Sequence, residues 1–251
     1  MTQSDWLEHR IDQHGIAVVT LARAPVNALS HGFLMEFAAL IDALAEDSQV
    51  RGIVIASAFG VYSAGLDLKE AQAFDLAAQQ RIVEGLNVGF LRLFACPKPT
   101  VAAVSGAAIA GGLFFVLASD LRIATPRAKF GLAEVRVGVD LPVGPLEIAR
   151  ATLSPDLFRR LLLTGHPIGA DAASAAGMVD TLAEQDTLLD EALKAARMLA
   201  DHPPRAYAAM KRQLRGAVIE RIETALAQGA NAPPEGWFTD ETAPAMRKMI
   251  G

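Results

Sequence analysis

The 251-residue sequence predicts a layered α/β fold. Short runs rich in β-branched and apolar residues recur in the first half of the chain, at Ile16–Leu21, Arg51–Ala56 and Thr100–Val104. Their length and composition are typical of buried strands. A loop and then a helical stretch follow each run, so three comparable units build a layered core.

Apolar spacing predicts the helices of these units. After Ser30, a plausible N-cap, apolar residues recur on one helical face, at Phe33, Leu34, Phe37, Leu40, Ile41 and Leu44. The second unit has a helical stretch from about Asp75 to Phe94. In the third, a loop at Ser105–Gly111 leads to a helix at Gly112–Ala118 and then to a strand at Leu121–Ala124.

The second half of the chain is predominantly helical. Ser154 opens one helix, which Gly165 closes. Three further helices are predicted at Thr187–Ala200, Pro204–Gly216 and Val218–Gln228, with proline pairs marking the breaks around them. A helical C-terminal region therefore follows the α/β core.

Composition excludes several classes of protein. Apolar residues make up 52%, charged residues 20%, and the formal net charge is -5, a balance typical of globular enzymes and unfavourable for nucleic-acid binding. The single cysteine, Cys96, rules out an internal disulfide and is predicted to be a small buried hydrophobe. Pro99–Ser119 carries no charge, but glycine breaks within it favour buried core over a membrane span.

Common catalytic motifs do not match this chain. Gly106 and Gly111 have P-loop spacing, but Gly112 stands where the motif needs lysine. No Gly-x-Ser-x-Gly surrounds Ser63 or Ser105, and no pair of histidines has the spacing of a zinc helix. The sequence thus predicts no metal site, no nucleotide-hydrolysing site and no serine-hydrolase site.

Two glycine loops remain, Tyr62–Leu68 and Ser105–Gly112, each placed after a strand and before a helix. Small residues let a ligand approach the backbone, and N–H groups at a helix start bind developing negative charge. Together they can form an oxyanion hole. The pair resembles two signatures of the enoyl-CoA hydratase/isomerase (crotonase) superfamily, and Phe130–Gly138 resembles its third.

This resemblance, which spans most of the chain, implies a core of repeated ββα units at residues 1–195 and a helical oligomerisation region at 196–251. It also implies an acyl-CoA thioester as substrate, with coenzyme A belonging to the substrate and no separate cofactor. The assembly it implies is a homotrimer or a dimer of trimers. Met1–Arg10 lacks the apolar segment of a secretory signal, so we expect a cytoplasmic protein, with no membrane or nucleic-acid partner.

The resemblance also assigns roles to individual residues. The N–H groups of Ala64 and Gly111 hold the thioester oxygen and stabilise its enolate, each by about 3 kcal/mol. Glu134 is the acid or base. Phe114 stands where hydratases of the family place a second glutamate, which favours double-bond isomerisation over hydration.

Four further residues complete the assignments. The loop from Ser63 to Leu68 binds coenzyme A and the substrate, and within it Asp67 is expected to cap a helix rather than react. Phe114 also borders the substrate, and Lys248 is a candidate for the ribose phosphate of a neighbouring subunit's ligand.

Asp140 leaves an alternative open. Its spacing from Gly138 resembles the nucleophilic aspartate of aroyl-CoA dehalogenases of the family, although it can equally cap the turn before Pro142. A dehalogenase-like or hydrolase-like enzyme using Asp140, and a catalytically idle acyl-CoA-binding protein, are therefore the competing hypotheses.

Overall fold

The computed structural model describes residues 6–250. Most strands lie in a six-stranded sheet with the order β1-β2-β3-β4-β6-β9, and three short ones form a second sheet, β5-β7-β8. The strands of the described residues are β1 (Leu7–Ile11), β2 (Ile16–Leu21), β3 (Gly52–Ser57), β4 (Thr100–Val104), β5 (Ala107–Ile109), β6 (Leu121–Ala124), β7 (Lys129–Gly131), β8 (Ile168–Gly169) and β9 (Thr181–Leu182). Neighbouring strands are parallel except for the β1–β2 and β7–β8 pairs. The predicted α/β class is confirmed.

Within residues 6–250, ten α-helices surround and extend these sheets: α1 (His31–Glu46), α2 (Leu68–Ala71), α3 (Leu76–Ala95), α4 (Phe114–Leu117), α5 (Val143–Thr152), α6 (Pro155–Thr164), α7 (Ala170–Ala175), α8 (Leu188–Ala200), α9 (Pro204–Ala227) and α10 (Thr242–Ile250). Two 3₁₀ turns, Ala110–Leu113 and Glu134–Arg136, lie in the predicted signatures. The predicted caps Ser30 and Ser154 each accept a hydrogen bond from the backbone N–H three residues on, as expected of N-caps. No helix between residues 6 and 250 is both long enough and apolar enough to span a membrane.

The inner strands β2, β3 and β4 of the large sheet are buried on both faces, which explains why they are nearly continuous apolar runs. Ile16, Val18 and Val54 pack on the side that α8 covers. The alternate residues Ala17 and Val19 face the main core beneath α1 and α3. Cys96 is buried in that core, as predicted, and burial raises the pKa of its free thiol.

Two predictions about secondary structure were wrong, and the edge strand β1 was missed. Strand β1 was not predicted, because four of its five residues are exposed and it shows no apolar run. The segment Ser105–Gly111 is not all loop, since it contains β5. The predicted break between two helices at Gly216 does not occur, and α9 is one continuous helix.

Buried charges explain the continuity of α9. A glycine inside a helix costs about 1 kcal/mol relative to alanine, which is too little to end a helix that is anchored elsewhere. Lys211 and Arg215, which both precede Gly216 in sequence, place their charged ends 2.8 and 2.9 Å from the Asp120 carboxylate. Ile219 and Ile222, beyond Gly216, are buried in the core.

Candidate active site

A cavity of about 220 Å³ lies between the two glycine loops and the third signature. Its lining is mostly apolar and includes Ala64, Leu66, Leu68, Leu86, Gly111, Phe114, Glu134, Arg136, Pro145, Trp237 and Met249. Five residues predicted for the site, Ala64, Leu68, Gly111, Phe114 and Glu134, are therefore brought together. An isolated bridge between Ser63 and Ala108 joins the two loops, and a second one ties Leu66 of the first loop to Leu29, just before α1.

Ser63, predicted as a ligand contact, instead holds the two loops together. Its side chain is fully buried, and its hydroxyl donates to the carbonyl of Asn27 at 2.7 Å. A Cβ on Gly112 would lie 2.5 Å from Ser63 Oγ, so only glycine allows this approach of the second loop. Because its hydroxyl is engaged and it is absent from the cavity lining, the assignment of Ser63 to ligand binding is corrected.

The predicted donor Ala64 is also corrected. Its N–H donates to the carbonyl of Val26 at 3.0 Å and is not available to a ligand. Two backbone hydrogen bonds join this loop to Leu29: Leu29 N–H donates to the carbonyl of Gly65, and Asp67 N–H donates to the carbonyl of Leu29. Leu66 lies between them in sequence. The N–H of Leu66 has no acceptor within residues 6–250, and Leu66 lines the cavity.

The second donor, Gly111, lies beside this loop. It is the second residue of the 3₁₀ turn Ala110–Leu113, and the first N–H groups of such a turn have no acceptor inside it. A Cβ on Gly65, whose φ is +81°, would be 3.3 Å from the nitrogen of Gly111 and 2.8 Å from the carbonyl oxygen of Ile109. The close approach of the two loops therefore requires glycine at 65.

Asp67 has the structural role predicted for it. Its Oδ1 accepts hydrogen bonds from the backbone N–H groups of Lys69 and Glu70, and it is the N-cap of α2. Arg23 lies 3.6 Å from the other carboxylate oxygen. Asp67 does not line the cavity.

Glu134 is the single carboxyl among the described residues that line the cavity. It begins the 3₁₀ turn Glu134–Arg136, and only 6% of it is exposed. Its Oε2 atom is buried and has no hydrogen-bond partner in the described chain. Burial raises the pKa of the Glu134 carboxyl to about 7, against the smaller opposing effect of the backbone N–H groups of Glu134 and Ala133.

Phe114 completes the apolar part of the site. Its ring is fully buried, lines the cavity, and packs against Phe90 with the ring centroids 5.5 Å apart. A side chain with no polar atom leaves water without a partner at this position. The absence of hydrogen-bonding groups here is consistent with the raised pKa of Glu134.

Asp140 and the C-terminal residues lie at the edge of the site. Asp140 is exposed and outside the cavity lining, and its Oδ1 accepts a hydrogen bond from the indole N–H of Trp237 at 2.9 Å. Sequence reasoning missed Trp237, since nothing local links it to residues a hundred positions away. Lys248 is exposed on α10, and its contact with a neighbouring subunit remains a prediction.

The fold places an apolar cavity with one buried carboxyl between two glycine loops in the described part of the chain. Residues 12–233 match the family model of enoyl-CoA hydratase/isomerase, and the chain belongs to that family. It is 34% identical to the probable enoyl-CoA hydratase EchA17 of Mycobacterium tuberculosis, over 78% of this chain and 76% of that protein. It is 32% identical to the 2,3-dehydroadipyl-CoA hydratase of Escherichia coli K12, over 86% and 84%.

Solved structures agree with the fold. The human mitochondrial delta3-delta2-enoyl-CoA isomerase has a TM-score of 0.87 at 27% identity, covering 98% of this chain and 96% of that one. An enoyl-CoA hydratase/isomerase from Xanthobacter autotrophicus Py2 has a TM-score of 0.84 at 28% identity, covering 99% and 97%. Relatives with both activities in their names thus share this architecture.

Proposed function

We propose that this protein shifts the double bond of an enoyl-CoA between the 3- and 2-positions, with Glu134 as the proton shuttle. The observation that carries the proposal is one buried carboxyl, without a hydrogen-bond partner for Oε2, in an otherwise apolar cavity. The carboxylate takes a proton from carbon 2, beside the thioester, and the electron pair delocalises to the thioester oxygen. The same carboxyl then returns the proton to carbon 4, which leaves the double bond at the 2-position.

The pKa of Glu134 suits this shuttle. A group that must first accept a proton and then release it works best when its pKa is near the working pH. Burial raises the pKa of the Glu134 carboxyl to about 7. The N–H groups of Leu66 and Gly111 have no acceptor within residues 6–250 and belong to residues that line the cavity, and we assign the enolate oxygen to them.

Hydration has different requirements. A water molecule must be held and deprotonated while a proton reaches the α-carbon, and two carboxyl groups divide these tasks well. Phe114 supplies no carboxyl group at the second position, which supports isomerisation as the faster reaction. The named relatives include hydratases, so both rates need to be measured on one preparation.

The test compares isomerisation of a 3-enoyl-CoA with hydration of the 2-enoyl-CoA of equal length, together with exchange of the α-proton in deuterated water. We expect isomerisation to be faster and exchange to occur. Faster hydration overturns the proposal. Binding without any exchange favours the idle acyl-CoA-binding protein.

The Leu66 donor is tested by replacing its peptide N–H with an ester oxygen, which removes the hydrogen-bond donor and keeps the side chain. An ester at Leu66 should lower kcat about 10²-fold to 10³-fold, the usual effect of losing one oxyanion donor. The matched control is an ester at Ala64, whose N–H is engaged by Val26. A larger loss at Ala64, measured on folded protein, contradicts the assignment.

We also expect the assembly to be a homotrimer or a dimer of trimers, as the resemblance implies. Sedimentation of the purified protein checks this expectation. A monomer at micromolar concentration contradicts it.

A further inference from the structure

Trp237 forms a wall of the cavity from a segment distant in sequence. It belongs to residues 229–241, between α9 and α10, which we call the C-terminal strap. The indole lines the cavity together with Phe114 and Pro145. Its Nε1–H donates to Asp140, at 2.9 Å from Oδ1 and 3.3 Å from the carbonyl oxygen.

The strap is held on both sides of Trp237. Gln79 Oε1, on α3, accepts from the backbone N–H groups of Trp237 at 2.9 Å and Phe238 at 3.0 Å. The ring of Phe238 stacks on that of Phe74, with the centroids 6.2 Å apart. Further along, the hydroxyl of Thr242 donates to the carbonyl of Gly138 at 2.7 Å. The backbone around Trp237 is therefore fixed, and the side-chain bond to Asp140 sets the orientation of the indole.

We propose that Trp237 determines which acyl chain lengths the enzyme accepts and that Asp140 is the residue that positions it. The inference rests on the proposed function, because it assumes that the cavity holds an acyl group. A cavity of about 220 Å³ with a mostly apolar lining suits an acyl chain and not the charged part of coenzyme A. Any large side chain in its wall limits the chain that fits.

The same contacts give Asp140 a role through Trp237. Its carboxylate is exposed, lies outside the cavity lining, and accepts the indole N–H. Tryptophan and tyrosine at such walls usually find a partner for the polar atom, which fixes the ring. A nucleophile, in contrast, must face the reacting carbon from within the cavity.

The first experiment compares the wild type with Trp237→Ala across 2-enoyl-CoA and 3-enoyl-CoA substrates of increasing length. Each additional methylene that the enlarged cavity buries should lower KM roughly fourfold relative to the wild type. The optimum therefore moves to longer chains. An unchanged length profile in a folded variant overturns the proposal.

The second experiment tests Asp140. Asp140→Ala should loosen the length preference in the direction of Trp237→Ala, whereas Asp140→Asn, which keeps an oxygen acceptor, should retain it. Combining Asp140→Ala with Trp237→Phe should add little to either change, because both remove the same bond. Loss of all turnover in Asp140→Asn contradicts a positioning role and favours a nucleophile.

Fluorescence separates these outcomes from failure of the proposed function. The chain has two tryptophans, and Trp6 packs against Phe33 outside the cavity lining, so Trp6→Phe leaves Trp237 as the single reporter. Saturated acyl-CoAs should change its emission, and Asp140→Ala should shift the unliganded emission to the red. A ligand-induced change in Trp237 emission without isomerase activity supports the inference about the cavity wall and overturns the proposed isomerase function. Isomerase activity with neither spectral effect overturns the inference alone.

Discussion

Two buried glutamates in this protein have opposite surroundings. Glu134 lines the cavity with no hydrogen-bond partner for Oε2 in the described chain, and burial raises its pKa to about 7. Glu147 on α5 is as buried, but Arg150 lies 2.7 Å from Oε1, and Arg221 of α9 bonds to Oε2. Burial alone raises the pKa of Glu147, and hydrogen bonds and charge from Arg221 and Arg150 outweigh it, so the pKa lies below its ordinary value.

The difference teaches that burial by itself does not make a carboxyl reactive. A carboxylate with two guanidinium partners is held ionised and joins α5 to α9, where proton transfer would break the ion pairs. A buried carboxylate that lacks a charged partner and has one oxygen without a hydrogen bond, as Glu134 has, changes protonation state near neutral pH and can exchange a proton with a substrate. The three predictions below test this contrast.

The largest expected effect is on turnover. Glu134→Gln keeps the size of the side chain and removes the base, so isomerase kcat should fall by about 100-fold or more. Glu147→Gln is the matched control and should keep kcat close to that of the wild type on a folded-protein basis. Steady-state assays of both variants decide the matter. A fully active Glu134→Gln enzyme contradicts the assignment of Glu134 as the reactive carboxyl in contrast to Glu147.

The second effect is on the pH profile. The free enzyme must have Glu134 ionised to take the first proton, and its pKa is raised to about 7. The kcat/KM for isomerisation should therefore fall about tenfold for each pH unit well below 7 and level off above it. A profile that stays flat down to pH 5 contradicts the raised pKa. Glu147→Gln should leave the midpoint unchanged.

The smallest effect is on stability, where the two glutamates should differ in sign. The folded state binds a proton at Glu134 more tightly than the unfolded state, so this group lowers stability as pH rises from about 4.5 to about 7. The pKa of Glu147 is lowered in the folded state. Its contribution to the free energy of unfolding is therefore fully present above about pH 4.5 and is lost as the pH falls through the lower folded pKa. At pH 8, Glu134→Gln should stabilise and Glu147→Gln should destabilise, each by ~1–2 kcal/mol in urea unfolding. Shifts of the same sign contradict the comparison.

Local sequence patterns predicted much of this protein. The β-branched runs placed β2, β3 and β4, and Asp67 was identified as a helix cap, because these features depend on residues close in the chain. Strand β1 escaped because an exposed edge strand has no apolar run. The continuity of helix α9 was not predicted, because the ion pairs that anchor it involve Asp120, which is distant in sequence.

The sequence by itself determined the chemical groups of the site: two glycine loops, one glutamate in the third signature, and phenylalanine at position 114. Only the tertiary structure decided which backbone donor is free. Val26 and Leu29 come from a distant segment and engage Ala64 and Asp67, which leaves the N–H of Leu66 between them. The partnership of Trp237 with Asp140 was decided in the same way. Whether a polar group is engaged or available depends on what the fold brings within about 3 Å of it, and local sequence does not specify that neighbour.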